Sequence, residues 1–350
     1  GDYQAPDPGE TPVLAVDIPS GVDGLTGEAG DGAVWADRTV TFAALKPGLL
    51  LGDGPDRAGE VSVADIGLDV SSARAGLVEQ ADVGAWLPLP SRESHKWKTA
   101  VYVVAGSAGM TGAAHLCARA TMRAGAGTVR LAIPGVPPAP PFPEVVGRTV
   151  PATGWDADVV EDAARAKAVI VGPGLSRTDS TGESVRSLLP KLTVPVILDA
   201  DGLFALGKAD GAGDVLRQRS ASTVLTPHDG EFKRLTGHAP GPDRLAAARE
   251  LAVRTGATVL LKGSTTVVAD PDGRTLWTNQ EDARLASAGT GDVLAGVIGA
   301  FLAQGLPPLR AAGLGAYVHG AASRRGWRRG LVAGDLLDAL PAVLNEGRAG

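Results

Sequence analysis

The chain has 350 residues, 33 basic and 39 acidic side chains and a formal net charge of −6, long enough for one large or two moderate domains with sizeable cores. With no basic excess, nucleic acid and anionic membrane surfaces are poor partners. Cys117, the one cysteine, cannot form an intrachain disulfide, and no charged-then-apolar leader opens the sequence, so a soluble, unexported, cytoplasmic enzyme is expected.

In chain order, Gly1 to Gly9 reads as a loop entered midway. Apolar runs at Val13 to Val16, Thr39 to Phe42 and Val61 to Val63 predict strands between Gly/Pro-rich turns. A polar, Pro-containing stretch, Leu87 to Ser94, divides this loop-rich part, 1–86, from the rest, 87–350. Beyond it, strands are predicted at Val101 to Ala105, Val129 to Ile133, Val169 to Val171, Val194 to Leu198, Thr223 to Leu225 and Val259 to Leu261. Helix-like segments separate most of them, at Ala113 to Ala124, Ala157 to Ala166, Asp243 to Arg254 and Ala311 to Ser323. Short buried-looking strands alternating with helices predict an α/β fold, a mostly parallel sheet covered on both faces, with ligands at the strands' carboxyl ends. Val293 to Ala303, the longest apolar stretch, is too short to cross a bilayer. Cys117, in a helical context, reads as a small core residue rather than a nucleophile.

The chemistry-bearing segments fall at those strand ends. Ser287-Ala-Gly-Thr-Gly-Asp-Val-Leu-Ala-Gly296 sets Gly289, Gly291 and Asp292 before a long apolar segment. Backbone N–H groups there can converge on a phosphate at the positive end of a helix dipole. Asp292 would face that phosphate and take a proton from an attacking hydroxyl; a Gly-rich turn capped by Asp describes the same letters. Ala105-Gly-Ser-Ala-Gly-Met-Thr-Gly112 allows close backbone approach to a ligand, or is a plain flexible turn. Gly172-Pro-Gly-Leu175 and Leu198-Asp-Ala-Asp-Gly202 follow further strands; Asp199 and Asp201 could orient a hydroxyl or hydrated metal, but capping of the next helix is the expectation for either alone. Thr226-Pro-His-Asp-Gly-Glu231 exposes His228 on a turn with a carboxylate three residues on, which favours ligand contact. Scattered histidines and one cysteine supply no zinc set. Lys262, directly after Val259-Leu-Leu261, stands where an ammonium could meet a nucleotide phosphate, or is a surface lysine beside a turn. A hairpin-like return follows it.

These segments, as AGSAGMTGAA from Ala105, GPGL from Gly172, LDADGL from Leu198, TPHDGEF from Thr226, LKGSTT from Leu261 and SAGTGDVLAG from Ser287, resemble the ADP- or ATP-dependent NAD(P)H-hydrate dehydratase family, in that family's order, from about His95 to the end of the chain. The resemblance implies a ribokinase-like fold and homo-oligomeric assembly. It assigns nucleotide binding to Lys262, Gly263, Ser264, Thr265, Thr266 and Gly291, and hydrate binding to Ala113 (or the adjacent Ala114), Gly174, His228 and Asp292. Catalysis falls to Asp292 with the Gly289 and Gly291 amides. Cofactors implied are ADP or ATP, with Mg2+ carried in on the phosphates; substrates are NADHX and NADPHX.

The first part, with AVDIPSG from Ala15 and TVTFAALKPG from Thr39, resembles the companion NAD(P)H-hydrate epimerase domain, a Rossmann-like α/β unit. There Asp17 would contact hydrate and Ser20 would ligate K+. The family's upstream half does not occur in this sequence, so the expectation is that epimerase activity is missing and that part of the sheet is left uncovered. A racemisation assay from one pure epimer checks this; fast exchange would contradict it.

The substrate's needs support the dehydratase reading. A ring hydroxyl leaves poorly as hydroxide, and phosphorylation turns it into a good leaving group. Two rivals are a vitamin-precursor or sugar kinase on the same fold, which would release a stable phosphorylated product, and a non-catalytic nucleotide-binding partner, which would bind without turnover.

Overall fold

In a computed structural model, described for residues 4–138, 142–279 and 282–346, the chain separates into two compact units. One comprises Gly1–Gly76 with Pro240–Ala247, the other Leu77–Ala239 with Ala248–Gly350. The opening loop expected from Gly1 is described from Gln4 onward; residues 1–3 lie outside the described residues.

The smaller unit holds a parallel sheet of three strands, β1 (Leu14–Val16), β2 (Arg38–Phe42) and β3 (Glu60–Ala64), in that order, with the short helix α1 (Gly54–Ala58). The three predicted strands form. Val16 registers with Val40, and on this face Leu14 and Val16 are 59% and 64% exposed, as expected of a sheet with one apolar face open. Ala15, Thr39 and Thr41 on the other face are buried.

The larger sheet has ten strands: β4 (Ala75–Leu77), β5 (Ala100–Val104), β6 (Thr128–Ala132), β7 (Val145–Arg148), β8 (Ala168–Val171), β9 (Val196–Leu198), β10 (Thr223–Leu225), β11 (Thr258–Leu261), β12 (Thr266–Ala269) and β13 (Thr275–Thr278). Their order is β4-β13-β12-β11-β10-β9-β8-β5-β6-β7. From β7 to β11 all pairings are parallel, and β11–β12 and β12–β13 are antiparallel. The hairpin-like return predicted after Gly263 is β12. Strands β5, β8, β9, β10 and β11 are buried along their whole length. Their Val, Ile and Leu runs reflect this, since a parallel sheet covered on both faces has no solvent side to alternate with.

The helices after α1 are α2 (Gln80–Trp86), α3 (Thr111–Arg123), α4 (Asp156–Asp162), α5 (Asp179–Leu188), α6 (Asp201–Leu206), α7 (Ala209–Leu216), α8 (Asp229–Thr236), α9 (Arg244–Thr255), α10 (Thr290–Ala303), α11 (Pro308–Arg325) and α12 (Ala333–Asn345). Thr178 caps α5 by accepting from Thr181 N at 3.2 Å, and Pro308 opens α11, where its missing N–H is harmless. The segment expected helical to Ala166 tightens into a 3-10 turn, Ala163–Arg165. Helix α10 is buried from Val293 through Ala303 and packs against α3, α11, α12 and β8. A helix apolar all round belongs inside a protein core, and among the described residues no helix is long and apolar enough to cross a membrane.

The division between the units falls after Gly76, earlier than the expected 86/87 boundary. The reason is burial: Val78, Val83 and Leu87 belong to the large hydrophobic core with α3, α10, α11 and α12. Cys117 is fully buried in that core, and burial pushes its thiol well above the ordinary value, as a packing role requires.

Candidate active site

The strand order reverses between β5 and β8, because the chain runs outward through β6 and β7 before returning to the other side of β5. A crevice opens at such a switch point, beyond the carboxyl ends of the strands. The Gly106 and Gly172-Pro-Gly174 turns meet there: Gly106 N donates to Pro173 O at 2.6 Å, and Ser107 Oγ to Gly174 O at 2.9 Å. Gly174 has φ +64°, and a Cβ on it would lie 3.0 Å from the Ala113 methyl. Ala113 is thus the half-exposed residue beside Gly174, whereas Ala114 is fully buried.

Helix α10 starts at a left-handed Gly289, φ +92°, where a Cβ would meet Leu116 Cδ1 at 2.6 Å and Ala333 Cβ at 3.1 Å. Only glycine fits that corner. Thr290 locks the turn, its hydroxyl donating to Leu285 O at 2.7 Å and Ser287 O at 2.9 Å. Asp292 then lies in the first turn, near enough that a methyl carbon on Gly289 would be 4.0 Å from its Oδ2. Burial, with the nearby Asp199 and Asp201 carboxylates adding to it and Lys262 opposing it, pushes the Asp292 acid up to about 7.

Asp199 and Asp201 correct the capping expectation. Helix α6 begins after Ala200, φ +48°, with no side-chain cap. Buried Asp199 instead accepts from Thr226 Oγ1 at 2.7 Å and Lys262 Nζ at 2.9 Å, and Asp201 accepts from Ser176 N at 2.9 Å and Arg177 Nε at 2.8 Å. Lys262 also stands 3.7 Å from Glu231 Oε2. Burial alone would lower its pKa, but Asp199, Glu231 and Asp292 together raise it, so the ammonium stays charged. Gly291 brings the α10 backbone to this group: a methyl there would lie 3.7 Å from Lys262 Nζ and 3.9 Å from Asp199 Oδ2.

His228 caps α8. Its Nδ1 accepts from Gly230 N at 3.0 Å and Glu231 N at 3.3 Å, while Glu231 accepts from His228 N at 2.9 Å. This reciprocal cap fixes the tautomer, leaving Nε2 to carry the proton. The ring is still 59% exposed and lines the main cavity.

That cavity, about 840 Å³, is lined by six of the residues singled out from sequence, His228, Lys262, Gly263, Ser264, Thr266 and Gly291, and also by Asp282, Leu285, Ser287, Thr290, Leu294 and His319. Such a volume suits a nucleotide-sized ligand. Thr265 is buried and does not line it; Asp292 and Gly289, both part-buried, are not among its lining residues, and Ala113 and Gly174 sit together in the neighbouring crevice.

Among the lining residues that the sequence does not signal, two are titratable. His319, buried on α11, places Nε2 2.9 Å from Thr290 O, and burial drops its pKa to about 4, so it is neutral. Asp282, hydrogen-bonded by Arg284 and by Ser323 Oγ at 2.5 Å, is held down to about 2. Neither sits in a motif; the one signal was a lone histidine in an apolar, glycine-rich stretch, Gly313 to Gly320.

In the smaller unit Asp17, φ +69°, accepts from Thr41 Oγ1 at 3.0 Å and Phe42 N at 3.2 Å and pairs with Lys46 at 2.6 Å. Ser20 is exposed on the following turn.

The family profile described as NAD(P)H-hydrate dehydratase matches residues 101–342, and one described as YjeF-related protein N-terminus matches 4–48. The bifunctional NAD(P)H-hydrate repair enzyme of Salinibacter ruber is 42% identical over 96% of this chain and 66% of its own length. That of Mycobacterium tuberculosis H37Rv is 45% identical over 86% of this chain and 60% of its own. The chain therefore spans less than two thirds of these relatives. The ADP/ATP-dependent NAD(P)H-hydrate dehydratase of Bacillus subtilis, co-crystallised with ATP and Mg2+, superposes with a TM-score of 0.64 at 33% identity, covering 76% of this chain and 96% of that one. A ribokinase-like superfamily protein of Enterococcus faecalis, 18% identical with a TM-score of 0.65 over 79% of this chain and 98% of its own, shares the fold. By the extent of these matches, the chain belongs to the NAD(P)H-hydrate dehydratase family.

Proposed function

We propose that this chain dehydrates the hydrates of NADH and NADPH, NADHX and NADPHX, at the expense of ADP or ATP. The observation that carries the reading is Asp292: a carboxyl at the start of a buried helix, beside a charged lysine, whose pKa of about 7 matches a general base working near neutrality.

The nucleotide occupies the 840 Å³ cavity, its phosphates toward Lys262, the Gly263–Thr266 turn and Gly291. An ammonium and backbone N–H groups suit phosphate oxygens, and the Asp199, Glu231 and Asp292 carboxylates around Lys262 suit a phosphate that carries Mg2+. The hydrated ring lies in the crevice of Ala113, Gly174 and His228. Asp292 takes the proton of the ring hydroxyl, whose oxygen bonds to the terminal phosphorus as the bond to the departing AMP or ADP breaks. The positive end of α10 stabilises charge on the phosphoryl group in transit. The ring-nitrogen lone pair then expels inorganic phosphate, and loss of the adjacent ring proton restores NADH or NADPH.

A homo-oligomeric, cytoplasmic enzyme is part of this proposal. For the smaller unit, a K+ site at Ser20 and hydrate contact by Asp17 rest on family resemblance, and no epimerase turnover is proposed on a match confined to 4–48.

Hydrated NADH mixed with protein and ADP or ATP tests the reading. Recovery of the reduced-nicotinamide absorbance with stoichiometric inorganic phosphate is expected. A stable phosphorylated product without absorbance would make the protein a kinase, and binding without turnover would overturn catalysis.

A further inference from the structure

Next to the crevice, and outside the nucleotide cavity, two arginines stand over one aromatic ring and a third lines the same cleft. Arg177, in the turn after β8, stands with its guanidinium carbon 5.1 Å from the Phe204 ring centroid; Arg234, on α8, lies 3.4 Å from the same centroid. Arg186, on α5, is anchored by donating to Ala205 O at 2.7 Å. A small cleft of about 160 Å³ is lined by all three with Thr178, Thr181 and Phe204. A second, of about 170 Å³, shares Arg177, Phe204 and Arg234 and adds His228, which also lines the nucleotide cavity. The clefts thus adjoin the place assigned to the hydrate.

The charges there are not balanced. Asp201 is occupied by Arg177 and Ser176 N, and Glu231 by the His228 backbone and Lys262. Asp179, exposed, is the remaining acid of the first cleft. Arg234 has no carboxylate within ion-pair distance among the described residues, although it is half-buried against Phe204. Burial and the Arg177 charge both lower its pKa. Two guanidiniums that line the same clefts without a full complement of acids suit a phosphate, and an arriving anion would relieve their repulsion.

We propose that the Arg177–Phe204–Arg234 cleft is a second phosphate-binding site, distinct from the nucleotide site, that holds a phosphate of the dinucleotide substrate and product. This rests on the proposed function for the identity of the ligand. The phosphate is either the bridging diphosphate, common to both dinucleotides, or the 2′-phosphate of the NADP form.

The test uses the full chain with the nucleotide site saturated by ADP, and titrates NADPH and NADH into the wild type and Arg234→Gln. Binding needs no turnover, so it is independent of whether the hydrate reaction occurs. A loss of about tenfold or more in affinity is expected, the size of one hydrogen bond to a charged group. Equal losses for both ligands identify the diphosphate; loss for NADPH alone identifies the 2′-phosphate. Unchanged affinity for both overturns the proposal. A melting curve and near-UV circular dichroism check the fold, and Arg177→Gln repeats the test should Arg234→Gln unfold. If turnover also occurs, the variant raises KM for the hydrate and not KM for ADP; a wild type that binds NADPH through Arg234 but never dehydrates hydrate sinks the proposed function alone.

Discussion

Two aspartates, one in each unit, show how surroundings divide structural carboxylates from chemical ones. Asp17 is met by an ammonium, a hydroxyl and a backbone N–H, and the Lys46 hydrogen bond, more than any other cause, holds it below its usual value. Asp292 is largely buried, feels the Asp199 and Asp201 charges, and is opposed only by Lys262, which is itself paired with Asp199, so it rises to about 7. A satisfied carboxylate stays ionised and holds structure together; an unsatisfied one is ready to exchange a proton.

The sharpest way to break this contrast is Asp292→Asn. Turnover should fall by about two to three orders of magnitude, read by recovery of nicotinamide absorbance, while the protein melts at a higher temperature at pH 8 because the uncompensated charge is gone. In the wild type kcat/KM should fall roughly tenfold per pH unit below about 7, since the base must be ionised. Lys262→Met removes the cation that opposes the rise. The acid limb of the pH–rate profile should move to higher pH and the KM for nucleotide should increase about tenfold; an unmoved limb would separate Lys262 from Asp292. Gly289→Ala places a methyl into Leu116 at a positive φ and should cost about 1 kcal/mol or more in a denaturant melt, with a loss of turnover as the corner shifts. The smallest effect is at the satisfied carboxylate: Thr41→Val removes one of the Asp17 donors and should cost about 1 kcal/mol or less by urea denaturation.

The strands of the large sheet were legible because β5, β8 and β11 are continuous β-branched and leucine runs, and the α10 corner because Gly289 and Gly291 precede a carboxylate and a long apolar helix. Strands β4, β7 and β13 were not; the first two are short and contain glycine, and β13 has only two apolar residues between terminal threonines. Local pattern also misjudged Asp199, whose partners Thr226 and Lys262 lie 27 and 63 residues away. Spacing within one turn reveals a cap; it carries nothing about a pairing made by sheet order. His319 was invisible for the same reason, since its contact is the Thr290 carbonyl 29 residues back.

That histidine and Asp292 flank the same helix start with opposite proton appetites. His319 stays neutral in the fold to about pH 4, whereas the unfolded ring takes up a proton near 6.5, so acidification through that window favours unfolding. Asp292 takes up its proton near 7 when folded but only near 3.8 when unfolded, so the same acidification favours the native state. Over almost one span of pH the two tendencies oppose each other, and the helix start resists moderate acid as a unit. Asparagine at 292 would strip away that compensation and leave an enzyme that grows fragile as the medium sours.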